Sequence, residues 1–415
     1  MRMWLRWLLA VGAAGLLGGA GYAQVELSRA LSQLPPLVGK PVQYQRKGTE
    51  NVYRMARRYG VSATAVHNAN RGGLNAGNET LVLPTQHLAP APRAEGVVIN
   101  LAERNAYFYR KGRPVKVFPI AIGRRGWETP TGDFHIASKR KNPTWFPPKW
   151  AKEEEPVPPG PDNPLGDRWM GLSIPGYGMH ATNAPASVGR YASHGCMRMY
   201  PEHARELYDL VGLGTPVKIV YQLFSLGYAP EDGIVYLAHH PDPYQLGDAT
   251  TAEVLEQLRA YGLTEVADSK AIAEALERPM GIPVPVVGSR VKVTVGGRVV
   301  RFALNPTPAG EDWLAPAGPL AEALGARLEI GPGGSYAALE RGGQRLLLTP
   351  DRPDVVVNGA LHTLATPMRL AAGYPMIPIK EIATALGASV GWDEGTRTIL
   401  IWDGLNSALS HDSLR

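Results

Sequence analysis

Across 415 residues there is a single cysteine, Cys196, and it lies in SHGCMR (193–198) beside a histidine and a glycine. A thiolate attacks carbonyl carbon readily and a thiol poorly, so a nucleophilic cysteine needs a nearby base or cation. His194 is two residues upstream, and His180 lies in YGMHATN (177–183). On one strand His194 and Cys196 would share a face; a glycine turn there would break that relation. Attack also creates an oxyanion, which requires fixed donors. Backbone N–H groups of a tight turn can supply them, and Gly195 lets the chain bend and approach closely. Two competing readings use the same residues. A buried cysteine can be an inert small hydrophobe, and zinc could take His180, His194, Cys196 and His203. No CxxC or HxxxH pair accompanies them, so no metal is expected. Adjacent His239 and His240, near Asp242, would point to opposite sides of a strand and make a poor chelate.

Residues 126–183 are dense in glycine and proline, as in GWETPTGDFHI, PTWFPPKW and PVPPGPDNPLGDRWMGLSIPGYGMHATN. Such composition is foreign to strand interiors and predicts long loops on a β scaffold, with His180 ending the last loop. The scaffold itself reads as strands at VVINL, AYFYR and VKVFPIAIG, one helix at EHARELYDLV and a closing strand at TPVKIVYQ. Residues 95–222 therefore form a mainly β domain.

Ahead of it, 41–86 reads as strand, helix, helix, strand. NVYRMARRYGV places Val52, Met55, Ala56 and Tyr59 at amphipathic spacing, Ser62 is an N-cap, and TLVL stops at Pro84. Residues 223–285 are an extension with a strand at DGIVYLAHH and a helix capped by Thr250 or Thr251. Residues 286–405 hold an internal repeat: LAPAGPLAEALGARLEI (314–330) aligns without gaps on MIPIKEIATALGASVGW (376–392). Gly325 and Gly387 fall where a helix end wants a left-handed residue. Gly296–Gly297 and Asn358–Gly359 are hairpin turns preceding each helix. Each ββαβ-like unit is too small to be comfortable alone, so the region is an α+β tandem repeat.

Arg2 and Arg6 precede an apolar run from about Trp7 to Ala20, with Gly21 and Ala23 as small residues before a cleavage point. The run is shorter than the roughly 18–20 residues that cross a bilayer. Residues 1–23 therefore read as a signal peptide of an exported protein, with an uncleaved anchor as the other reading. No internal disulfide is available to a chain with one thiol, and a lone thiol outside the cytosol is exposed to oxidation. The net charge of +6 favours polyanionic surroundings. The positive charge is scattered without aromatic interleaving, so no nucleic-acid partner is expected.

The stretch HATNAPASVGRYASHGCMRMYPEHARELYDLVGLGTPVKIV (180–220) resembles the catalytic signature of the L,D-transpeptidases, the YkuD-type domain. That signature is His-Gly-Thr-Asn, a spacer, then Ser-His-Gly-Cys with an arginine two positions on. TPTG, PTW and GPDNPLG upstream match in order. The resemblance implies Cys196 as nucleophile forming a thioacyl enzyme, His180 as general base and His194 as its support. It implies backbone N–H groups of Gly195 and Cys196 at the oxyanion. Ser193 and Arg198 would shape the loop and meet acidic substrate groups, with Thr182 and Asn183 beside Arg198 in substrate binding. One position departs: Ala181 stands where the family has glycine, and a positive φ there would make the methyl costly and shift His180.

The family implies a substrate, the peptidoglycan stem peptide. The bond before its terminal D-Ala is cleaved and the acyl group passes to an amine of another stem, a D-amino acid or an envelope protein. No metal or organic cofactor is implied. Two further outcomes stay open: an L,D-carboxypeptidase with water as acceptor, and a non-catalytic wall-binding protein. The first module resembles LysM, with Asn70 at its usual asparagine and Gly48-Thr49-Glu50 in place of Gly-Asp-Thr, which implies glycan binding. The tandem repeat resembles, in two copies, the stalk domain named after copper amine oxidase N-terminal regions, through VNG, Met376–Pro378 and the ALGA helix ends. No copper is implied. The periplasm or cell wall is the expected location.

Overall fold

The computed structural model describes residues 19–48, 50–70, 80–90, 93–148 and 155–403. Most of the expected signal peptide lies outside them. Helix α1 (Gly19–Gln33) runs through the expected cleavage point after Ala23. Leu27, Leu31 and Leu34, spaced to share one face, are buried in the core of the C-terminal region.

The N-terminal module comprises β1 (Leu37–Val38), β2 (Val42–Gln45), α2 (Val52–Arg58), α3 (Ala63–Ala69), β3 (Thr80–Leu83) and β4 (His87–Leu88). Strands β2 and β3 pair antiparallel, giving the expected βααβ order. Asn51 caps α2, accepting from the N–H groups of Tyr53 and Arg54, and Ser62 caps α3. Asn70 donates to the carbonyls of Val66 and Val82 and accepts from the Val82 N–H, tying α3 to β3. The module sits against the next domain: Arg57 forks onto Glu202 at 2.6 Å through both contacts, and the Tyr200 hydroxyl donates to the Val61 carbonyl.

The central domain is a nine-stranded sheet. Its strands are β5 (Glu95–Asn100), β6 (Asn105–Arg110), β7 (Arg113–Gly123), β8 (Gly132–Lys141), β9 (Arg168–Leu172), β10 (Gly178–His180), β11 (Tyr191–Ser193), β12 (Met197–Met199) and β13 (Pro216–Val220). The order is β11-β7-β12-β10-β9-β8-β13-β5-β6, and β7 also pairs with β6, so the sheet curls back on itself. Strand β7 has 11 residues and serves both ends: its first part lies on β6 and Ile120–Ile122 meet β12 and β11. Helix α4 (Pro201–Leu210) buries Ala204 and Leu207 against the sheet.

The glycine-rich stretch is a correction. Residues 132–141, 168–172 and 178–180 are strands, and His180 is on β10 inside the sheet rather than on a loop. Gly171 and Gly178 face each other across β9 and β10. A Cβ on either would come within 2.9 Å and 2.7 Å of the Trp169 indole. These glycines make room for a ring lying across the sheet, so they do not mark turns.

The extension adds β14 (Phe224–Ala229), β15 (Ile234–His239) and β16 (Val284–Val287) as a separate sheet, with helices at Thr251–Arg259 and Ser269–Leu276. Thr250 is the cap of the first, in a capping box with Glu253. In the tandem repeat both helices appear, at Ala317–Ala323 and Ile379–Ala385, and Gly325 and Gly387 take φ of 67° and 82°. The two copies are interlaced. Lys292–Val295 of the first pairs with Thr398–Asp403 of the second, and Gln344–Leu348, following the first, pairs with Asp354–Val357 of the second. Asp312–Pro316 and Tyr374–Pro378 join them at the centre. Neither copy closes its own sheet, which is how units too small to stand alone become one core.

Candidate active site

Strands β10 and β12 lie side by side and parallel, with His180 in register with Arg198. Cys196 is the residue just before β12, in the turn that leaves β11. The sheet thus brings together His180, Cys196 and Arg198, which with Ser193 and His194 line one cleft of about 690 Å³.

The turn is held from within. Ser193 Oγ donates to the Cys196 carbonyl at 2.5 Å and accepts the Gly195 N–H at 3.2 Å. Gly195 has φ of 106°, and a Cβ there would lie 2.5 Å from the Tyr177 ring, so both backbone and space require glycine. With the Gly195 N–H turned to Ser193, the Cys196 N–H is the expected oxyanion donor that remains; the Gly195 N–H is committed to the turn.

The thiol of Cys196 donates to the Gly176 carbonyl at 3.3 Å. Burial pushes its pKa up, offset in part by the Gly178 N–H and the Arg198 charge. His180 is buried and stacks on Trp169 at 5.9 Å. Its Nδ1 meets the Ala181 carbonyl at 2.5 Å, so Nδ1 carries the proton and Nε2 is left as the basic nitrogen. Burial, helped by the Arg198 charge, pushes the imidazole down to about 4, against the opposing pull of the Ala181 and Leu165 carbonyls. The resting pair is therefore a neutral thiol and a neutral imidazole.

His194 lines the same cleft: Arg124 Nη2 donates to its Nε2 at 2.8 Å, and Trp127 lies edge-on at 4.9 Å. Arg198 is half-buried at the cleft wall, and Arg140 adds a second positive charge there. Thr182 and Asn183 do not line the cleft. Thr182 Oγ1 accepts the Ala184 N–H at 3.0 Å, and Asn183 donates to the Asp162 carbonyl at 2.8 Å. Both hydrogen bonds brace the chain around His180. Ala181 is buried without positive φ, and its methyl faces Gly166, where a Cβ would lie 2.6 Å away. The departure from glycine is thus accommodated by a glycine opposite. His203 sits on α4 between Phe118 and Tyr200, outside the cleft.

Over the cleft runs the loop after β8. Asn163 is fully buried and donates to the carbonyls of Pro143, Val157 and Pro158, which holds Trp145 and Phe146 at the rim. Sequence reasoning missed Arg140, Trp169 and Tyr177; the flanking glycines 171, 176 and 178 were the available signal. The site offers a thiol, a base, an N–H donor and two guanidinium groups in one aromatic-walled cleft, a constellation for acyl transfer from a carboxylate-bearing chain.

The L,D-transpeptidase catalytic domain family (YkuD) matches residues 94–219. The copper amine oxidase N-terminal domain family matches residues 294–401 once, taking both repeat copies together. "Probable L,D-transpeptidase ErfK/SrfK" of Salmonella typhimurium is 32% identical over 282 residues, covering 62% of this chain and 91% of that protein. "Probable L,D-transpeptidase YcfS" of Escherichia coli is 31% identical over 255 residues, covering 56% and 79%. Among solved structures, the catalytic domain from E. faecium L,D-transpeptidase aligns with 31% of this chain and 98% of its own at 23% identity, with a TM-score of 0.26.

Proposed function

The chain belongs to the L,D-transpeptidase family, and from that premise we propose that Cys196 carries out acyl transfer on tetrapeptide stems of peptidoglycan. His180 Nε2 takes the thiol proton as Sγ attacks the carbonyl carbon before the terminal D-Ala. The Cys196 N–H receives the oxyanion. Collapse breaks the C–N bond, the imidazolium returns its proton to the departing D-Ala amine, and a thioester remains. An acceptor amine then attacks, gives a proton to His180, and displaces the sulfur, which is reprotonated. Proton transfer within the encounter suits a neutral pair better than a standing ion pair would. Arg198 and Arg140 meet stem carboxylates.

The observation that carries this reading is His180 on β10 and Cys196 in the turn that enters the parallel strand β12, both lining one cleft, with Nδ1 tied to the Ala181 carbonyl. The test is mass spectrometry of disaccharide-tetrapeptide incubated with the protein and with Cys196→Ala. D-Ala loss with the wild type alone supports the thioacyl route; loss with both ends it. A cross-linked product identifies an amine acceptor, and a bare tripeptide identifies water.

The βααβ module is proposed to be LysM-like and to hold glycan beside the catalytic cleft. Residues 1–23 are proposed to direct export and be removed after Ala23, which leaves Leu27, Leu31 and Leu34 as the mature N-terminal anchor on the C-terminal core. No helix among the described residues is long and apolar enough to cross a membrane.

A further inference from the structure

The catalytic-domain match ends at residue 219, yet the core beneath the SHGC turn includes Tyr244, from the segment after β15. The Tyr244 ring is buried and stacks on Tyr221, with centroids 5.3 Å apart and planes 12° from parallel. Its N–H donates to the Tyr221 hydroxyl at 3.0 Å. Its own hydroxyl accepts the Thr129 N–H at 3.1 Å. Thr129 Oγ1 in turn accepts the Gly123 N–H at 3.0 Å and donates to the Gly195 carbonyl at 2.8 Å. The adjoining Gln245 accepts from Arg125, next to the Arg124 that holds His194. One short segment of the extension thus grips the loop behind the nucleophile.

The Gly195 carbonyl and the Cys196 N–H belong to one planar trans peptide and point in opposite directions. Whatever fixes the carbonyl fixes the aim of the N–H. Gly195 itself imposes little, since glycine is free in φ and ψ. We propose that Tyr244 is a positioning residue for the acyl-transfer reaction: through Thr129 it sets the direction of the Cys196 N–H toward the oxyanion. The extension is then part of the working active site. This rests on the thioacyl reading given above.

The test compares the full chain with Tyr244→Phe, which keeps the ring and its stack and removes only the acceptor oxygen. Two rates are measured. D-Ala release from disaccharide-tetrapeptide passes through an oxyanion; alkylation of Cys196 by iodoacetamide does not. In Tyr244→Phe, kcat for release is expected to fall about tenfold with little change in KM, less than the 10²–10³ lost when a donor is removed outright. Alkylation keeps the wild-type rate and pH profile. An unchanged kcat overturns the proposal, and so does an equal fall in both rates, which would mean that thiol or fold was disturbed. If Tyr244→Phe does not fold, Tyr221→Phe loosens Tyr244 and is read by the same two rates: a fall in release alone supports the proposal, and no fall overturns it. Wild type and Cys196→Ala run in the same series. Absent release by wild type overturns the thioacyl reading and this inference together, whereas a wild-type rate in Tyr244→Phe overturns only the inference.

Discussion

Cys196 and His180 are both pushed toward their neutral forms by burial, and that sets the expected pH behaviour. His180, held down to about 4, stays a competent base well below the ordinary histidine range. The acid limb of the acylation rate is therefore expected near pH 4, not near 6.5, when pre-steady-state acylation is followed against pH. His180→Ala should lose about 10²–10⁴-fold at neutral pH, the usual worth of a general base. Because the Cys196 pKa is raised, rescue should come only at alkaline pH, where the thiolate forms unaided. A wild-type rate independent of pH in that variant would remove His180 from the base role. The pair Gly166 and Ala181 makes a second test. Gly166→Ala brings two methyl groups within 2.6 Å on a residue with φ of 60°, and should destabilise by about 2–3 kcal/mol. Adding Ala181→Gly should recover part of that loss in urea unfolding, since only the methyl contact is relieved.

At the scale of elements, the cleft depends on residues 142–148 and 155–167, which a bridge between Trp145 and Val157 joins. Asn163 is their organiser, with its amide donating to three carbonyls and its carbonyl accepting the Leu165 N–H. Asn163→Ala leaves the buried Pro143 carbonyl without this donor, at about 1–3 kcal/mol if no water replaces the amide, and removes the ties to the less buried Val157 and Pro158 carbonyls. The loop should loosen before the sheet does. The expected outcome is a KM raised about tenfold with a smaller change in kcat, because Trp145 and Phe146 line the cleft from this loop while His180 stands on the sheet and Cys196 in the turn entering β12. Steady-state kinetics on the tetrapeptide checks this. The glycines of β9 and β10 teach a related point. Composition read them as loop, but the deciding contact is Trp169, which lies in the same strand as Gly171 and one strand away from Gly178. That relation exists only once the register is formed.

At the scale of the whole molecule, α1 packs onto the core of the C-terminal region. Leu31 is fully buried against residues of the C-terminal core. Leu31→Ala should cost about 2–5 kcal/mol and lower the unfolding midpoint of the C-terminal region, as measured by calorimetry of the purified chain. Acid stability is also a property of the whole fold. His180 and His240 are both held near 4 by burial, against an ordinary value of 6.5. The unfolded chain binds these protons first as pH falls, so the stability they confer is complete above about 6.5 and is lost on acidification toward 4. The loss is up to about 3 kcal/mol for each histidine. Urea midpoints at pH 7 and pH 4.5 should differ accordingly, and by less in His240→Asn. A midpoint that does not change with pH would contradict burial of the neutral imidazoles.

Much of the active site was legible in one stretch, because local chemistry is written locally. The lone cysteine, the glycine before it and the histidine of YGMHATN are identifiable by type and spacing, and Asn51, Ser62, Gly325 and Asn358–Gly359 declare caps and turns through their own side chains and φ preferences. The βααβ order, the helix after the nucleophile and the internal repeat follow from periodicity for the same reason. What depends on residues far apart in the chain was decided only by the tertiary structure. The placing of His180 in register with Arg198, two residues past the thiol, comes from parallel pairing of β10 with β12. The commitment of the Gly195 N–H to Ser193, the space for Ala181 at Gly166, the interlacing of the repeat and the reach of Tyr244 to Thr129 all arise from packing between distant segments. Hydrogen bonds and van der Waals contacts act over a few ångströms in space, whatever the separation in sequence, and only the folded chain supplies those distances.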